Sequence, residues 1–210
     1  MTQHAKPRWP LRRPAGRPNR AIGLLLTLGL AGAGAAAAET PADTAVPAPL
    51  GQFLSVSAET MDGERFEFPA DLRGAPLLLG IAISTSRANG EEQQGVLLEW
   101  QAWLEGSGAL PEGAAIYHFP VIESPPRFIR GAIRRAMRRT FADRVPDDRA
   151  AMLFVDDSAA FAAAAGLTID EAPTLVLADA RARPLWLFKG GPDEANTTAL
   201  LQALARLGDD

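Results

Sequence analysis

The sequence predicts an α/β sandwich with a mixed central sheet and helices on both faces, on three observations. From Gln52 onward, continuous apolar runs alternate with amphipathic ones, the pattern of parallel strands buried on both faces and joined by helices. The last two apolar runs are separated only by Asp179 to Ala182, so they pair as an antiparallel hairpin. The chain has no cysteine, so the domain must be held by its core, and about 170 residues can build one.

The elements follow in order. Phe53 to Val56 and Arg65 to Phe68 read as short strands around the turn Asp62-Gly63. Leu77 to Ile83 is a buried strand. Glu91 to Leu104 is a helix with Val96, Leu97, Trp100, Trp103 and Leu104 on its inner side. Ala115 to Ile122 is the next strand, and Phe128 to Phe141 the next helix. Met152 to Val155 is a strand, and Ser158 to Ala165 a short helix closed by Gly166. Thr174 to Ala178 and Pro184 to Phe188 form the hairpin, and Asn196 to Leu207 is the last helix. Asn196-Thr197-Thr198 is formally a glycosylation sequon and reads as a helix start.

The N-terminus is set apart by composition. Lys6, Arg8, Arg12, Arg13, Arg17 and Arg20 form a basic head, and Ala21 to Ala35 is largely apolar. Small residues around Ala36-Ala37-Ala38 offer a cleavage site. We read 1–38 as a secretory signal, with an uncleaved anchor as the alternative. Residues 39–51 are a Pro, Ala and Thr-rich linker, and 52–210 are the folded domain. The domain is then exported, periplasmic or anchored in the inner membrane facing the periplasm. All 25 acidic residues lie after Ala38, with 15 of the 21 basic ones, a net charge of −10 for that part. Such a balance argues against nucleic-acid binding.

The corner "GIAISTSRANGEEQQG" joins a strand to a capped helix start at Asn89-Gly90-Glu91-Glu92. In many oxidoreductases this corner carries a cysteine, whose thiolate the helix N-terminus stabilises. Here it reads Ser84-Thr85-Ser86, and thiol–disulfide exchange requires a thiolate. A serine or threonine nucleophile would need an adjacent base. His118, the one histidine after the signal, lies mid-strand and reads as a packed or surface side chain. One histidine and no cysteine also leave few ligands for zinc or copper. Asp156-Asp157 and Asp170-Glu171 read as caps of helices and turns, so neither a metal nor a cofactor is expected.

The strongest feature is "RFIRGAIRRAMRRTFADR". Arg127, Arg130, Arg134, Arg135, Arg138, Arg139 and Arg144 are seven of the fifteen basic residues after the signal. Ile129, Ile133, Met137 and Phe141 fall at helical spacing and should pack inward, while Arg127, Arg130, Arg134 and Arg138 project outward together. A basic helix on an acidic chain reads as an interaction face for an anionic membrane surface or a membrane protein complex. Its alternative is a solvated face whose arginines pair with local acids. Ligands of open α/β sheets gather at the carboxyl ends of the strands. Arg87, Glu123, Arg127 and Pro173 are expected to border one such crevice, which suits binding rather than catalysis.

The element order, with "APTLVLADARARPLWLFKGG" at its end, resembles the thioredoxin-like fold in its peroxiredoxin-type elaboration. The resemblance places a cis-proline at Ala172-Pro173. "FPADLRGAPLLLGIAIS", "YHFPVIESPPRFIRGAIRRAMRR" and "MLFVDD" resemble the mitochondrial ATP synthase assembly factors and their bacterial relatives. That resemblance covers Phe68 to about Leu207 and implies chaperone-like help in assembling the membrane sector, without redox chemistry. Two other classes remain open: an enzyme using Ser84, Thr85, Ser86 or His118, and a scaffold domain of unknown partner.

Overall fold

The computed structural model describes residues 51–72, 77–110, 114–142 and 144–208. The segment 1–38 and nearly all of the linker lie outside these residues. The domain opens with a hairpin of β1 (Val56–Thr60) and β2 (Arg65–Phe68). The first strand starts where the sequence reading ended it, because Thr60 closes the turn. Its hydroxyl accepts from Glu64 N at 2.9 Å and donates to the Asp62 carboxylate. Gly63 takes the φ of 98° that this turn requires. Phe53, left outside the strand, packs edge-on against Phe68 at 4.9 Å and stacks on Phe161.

The alternating units come next: β3 (Leu77–Ile83), α1 (Arg87–Ser107), β4 (Ile116–Glu123), α2 (Arg127–Phe141), β5 (Ala151–Val155) and α3 (Ser158–Ala165). The chain ends with the hairpin β6 (Thr174–Ala178) and β7 (Pro184–Lys189), then α4 (Glu194–Gly208). One seven-stranded sheet has the order β2-β1-β5-β4-β3-β6-β7. β3, β4 and β5 run parallel, while β1, β6 and β7 pair antiparallel at the flanks. The expected mixed sheet is therefore present.

Alternation along the strands divides the core. Leu79, Ile81, Tyr117, Phe119, Leu153 and Val155 meet Phe161 of α3 on one face. Leu78, Ala82, Leu175 and Leu177 meet Trp100 of α1 and Leu200 of α4 on the other. α2 lies on that second side, with Phe141 buried beside Met152 and Phe154, and Ile133 and Met137 packed against them. Four residues of α1 buried among its apolar ones are amides: Asn89, Gln93, Gln94 and Gln101. The sequence reading placed Val96 and Trp103 on the inner side, and both are only half-buried.

Pro173 corrects one expectation. The cis peptide among the described residues is Phe68–Pro69, so Ala172–Pro173 is trans. The chain enters β6 from a turn in which Ala172 N donates to Asp170 Oδ1 at 2.8 Å, and Pro173 O accepts from Gly190 N at 2.9 Å. Trans is the ordinary X–Pro geometry, and these bonds are made within it.

Candidate functional site

The strand-to-helix corner is tied down by side-chain amides. Ser86 caps α1, its hydroxyl accepting from Asn89 N at 3.2 Å, so the helix begins four residues before the expected Glu91. Asn89 Oδ1 accepts from Thr85 N at 3.2 Å, and its Nδ2 donates to Glu171 O at 2.9 Å and Glu171 Oε2 at 3.0 Å. Gln93 Nε2 donates to Ile83 O, Asn89 Oδ1 and Asp170 O. Two buried amides thus bolt the start of α1 to the loop before β6. A periodicity argument misses this lattice because it reads glutamine and asparagine as outward residues.

His118 stands apart from the corner hydroxyls. It is fully buried, and its Nε2 meets Gln101 Oε1 at 2.9 Å. Gln101 Nε2 already donates to Arg144 O and Glu105, so its oxygen accepts and Nε2 of the imidazole carries the proton. Burial pushes the His118 pKa down to about 4. No serine or threonine of the corner meets this ring, so the arrangement has no nucleophile–base pair.

The acids at the strand ends act locally. Asp157 caps α3 by accepting from Ala160 N, and Asp170 binds Lys189 Nζ at 2.8 Å. The Lys189 ammonium and the Ala172 and Thr168 donors hold the Asp170 carboxyl below its usual range. Among the described residues no group of three acids or histidines is placed to hold a metal.

α2 begins where the sequence places it, but its arginines divide between two sides. Arg134 forms an ion pair with Glu59, a carboxylate only 5% exposed, which also lies 3.7 Å from Arg65 Nε. The Arg130 guanidinium sits 4.3 Å above the Phe154 ring, and its Nε reaches Pro125 O at 3.4 Å. Arg130 and Arg134 are therefore half-buried against β1 and β5 rather than projecting outward. Arg127 and Arg138 are exposed, the latter bonded to Asp147 at 2.9 Å. Arg135 and Arg139 complete the outward face, and Phe128 stands on it 87% exposed.

Two hollows flank the helix, in place of the single crevice expected. Arg127, Arg130 and Arg134 line a polar cleft of about 800 Å³ with Arg65, Glu59 and Asp156. Arg87 lines a separate cavity of about 480 Å³ between α1 and α2, together with Ser84, Gln94 and Arg139. Arg87 itself is paired with Glu91 at 2.9 Å on the surface. Glu123 and Pro173 line neither hollow. Glu123 accepts from Ser158 N at 3.0 Å at the start of α3. Sequence reasoning missed Glu59, Phe128 and Gln94; only Phe128, apolar beside an arginine at the start of a basic helix, left a signal to follow.

No family model and no curated protein matches the chain. Solved structures match it in fold. BsSco, a member of the Sco family of cytochrome c oxidase assembly proteins, shares 11% identity at a TM-score of 0.53, over 76% of this chain and 95% of its own. Yeast Sco1 shares 13% at 0.52, over 74% and 95%, and its copper-bound form superposes equally well. The chain therefore has the thioredoxin-like fold, as its element order implied, although its corner has no thiol.

Proposed function

We propose that this chain is a non-catalytic, thioredoxin-like binding factor that acts as a chaperone-like assembly factor at a membrane. The likeness in fold to BsSco, a member of the Sco family of cytochrome c oxidase assembly proteins, supports an assembly role of this class. ATP synthase is the complex that the sequence resemblance implies. Export of the domain behind residues 1–38 belongs to the same reading. Among the described residues no helix is long and apolar enough to cross a membrane.

The observation that carries the reading is the outer face of α2. Phe128 is exposed between Arg127 and Arg135, which lies about two turns on and has no ion pair among the described residues. An aromatic ring left in water beside arginines, on a chain of net negative charge, suits an anionic surface with an apolar interior. Each such arginine contributes on the order of 1 kcal/mol near an anionic membrane, and salt weakens the sum.

The test is co-sedimentation of residues 39–210 with anionic vesicles at low and high salt, because the basic head and apolar stretch of 1–38 would themselves bind such vesicles in any variant. The variant Arg127→Gln/Phe128→Ser/Arg135→Gln should keep its stability and lose about tenfold or more in binding. Equal, salt-insensitive binding by variant and wild type would leave α2 as a solvated face.

A further inference from the structure

The cleft on the sheet side of α2 gathers more positive charge than the fold neutralises. Its floor is one face of the sheet at the β1–β2 end. Ser55, Ser57 and Glu59, spaced two apart, line it, and Phe154 of β5 is the register partner of Ser57. Arg65 of β2 is the register partner of Glu59. The wall is α2, which presents Arg127, Arg130 and Arg134 at helical spacing. A sheet face beneath a helix is ordinarily closed by apolar side chains, whereas here a polar hollow of about 800 Å³ stays open.

The sheet register fixes where the guanidinium groups stand. Arg134 forms an ion pair with Glu59, and Arg65 Nε lies 3.7 Å from the other oxygen of the same carboxylate. Arg130 sits 4.3 Å above the Phe154 ring. Glu59 pairs with Met152, so Phe154 is its diagonal neighbour across the strands, roughly 7 Å away on the same face. Three guanidinium groups are thus held around one spot on the floor, with Arg127 at the rim. The four arginines meet two carboxylates, Glu59 and Asp156, which leaves two positive charges in excess. Neither Arg127 nor Arg130 has an ion pair among the described residues. Such a concentration, on a chain acidic after residue 38, raises the local concentration of anions.

From this geometry and charge balance we infer that the cleft binds a phosphate monoester. The group carries close to two negative charges at neutral pH, which matches the excess, and offers three strong acceptor oxygens. Guanidinium forks suit phosphate oxygens, and Arg65, Arg130 and Arg134 approach the spot from floor and wall. The Ser57 hydroxyl stands beside Phe154 as a further donor. A lone carboxylate or a phosphodiester brings one charge and leaves the other excess unmatched. The hollow is larger than a bare phosphate, and its polar lining suits a hydroxylated body such as glycerol. The same chemistry is offered by a free polyol phosphate and by the headgroup of phosphatidic acid. The inference goes beyond the outer-face reading and does not depend on it.

The test is calorimetric titration of residues 39–210 with glycerol 3-phosphate and with its methyl phosphodiester. The monoester should bind about tenfold or more tightly, because the diester has lost one charge and one free oxygen. Arg65→Gln should bind the monoester about tenfold more weakly. Its side chain is 79% exposed, so this variant should melt within about a degree or two of wild type. Absence of binding at millimolar monoester, equal affinity for monoester and diester, or wild-type affinity in Arg65→Gln would each overturn the inference. Vesicles then separate the two sources. Weaker binding of Arg65→Gln to phosphatidic acid vesicles, with binding to phosphatidylglycerol vesicles unchanged, supports the inference with the lipid headgroup as ligand. Loss confined to glycerol 3-phosphate supports it with a free phosphorylated compound. Arg65 is unchanged in the outer-face variant, so failure of the monoester to bind would remove this inference and leave the vesicle test of the outer face standing.

Discussion

The two flanks of α2 are built on opposite principles. Toward β1 and β5, Arg130 and Arg134 are held by an aromatic ring and a buried carboxylate. Toward α1, Ile133, Ala136 and Met137 line a cavity beside Gln94, whose buried Oε1 has no hydrogen-bond partner among the described residues. On the first flank charge has been spent on holding the helix to the sheet. On the second the apolar face stops short of complete packing. The difference teaches that arginines spaced one turn apart are not one feature: Arg130 and Arg134 are held against the sheet, while Arg127, Arg135 and Arg139 stand exposed.

The largest effect is expected where the flanks meet, at the C-terminal end of the helix. Phe141 lies there over His118, with ring centroids 5.6 Å apart. The imidazole titrates near 6.5 in the unfolded chain and near 4 in the folded one. Below pH 6.5 the unfolded chain takes up a proton that the folded chain refuses until about pH 4. Stability from this group is therefore complete above pH 6.5 and is lost progressively as pH falls to 4, by about 3 kcal/mol in all. Urea unfolding of wild type and His118→Gln across that window measures it. The wild-type curve should fall more steeply, and parallel curves would mean that the ring is solvated.

Next in size is the charged flank itself. Arg134→Met leaves Glu59 buried with only the more distant Arg65 beside it, and should cost about 2 kcal/mol. Adding Glu59→Gln removes the uncompensated charge and should recover most of that loss. If the double variant is no more stable than the single one, the pair is not coupled and the contrast between the flanks loses its electrostatic side.

How much of this was legible follows from the kind of signal each element left. The parallel strands and α3 were readable because apolar runs and the Gly166 stop depend only on local sequence. α1 was misjudged at its start and along its inner side, since Asn89, Gln93 and Gln94 are buried by contacts with loops far along the chain. The arginine row was legible as a row but not as two sides. Helical periodicity places Arg130 and Arg134 next to the apolar arc, yet only the arrival of Glu59 on β1 and Phe154 on β5 decides that they turn inward. Pro173 failed for a related reason: the fold family implied a cis bond, whereas the turn through Asp170 and Ala172 is satisfied in trans.

The smallest effect on stability separates two arginines of the outer face, and it bears most directly on function. Arg138 is bonded to Asp147 at 2.9 Å, both side chains being about half exposed, whereas Arg135 has no ion pair among the described residues. A surface pair of this kind is worth at most about 0.5 kcal/mol, so Arg138→Gln and Arg135→Gln should melt within a degree or two of wild type and of each other. Their binding to anionic vesicles should differ. Arg138 already has a carboxylate partner and must give it up to meet a lipid phosphate, so its loss should matter less. Arg135 gives up nothing, and its loss should weaken binding about fivefold at low salt, an effect that fades as salt screens the surface. If the two variants bind alike, pairing with Asp147 does not distinguish them, and the outer face acts through its summed charge rather than through the arginines that the fold leaves unused.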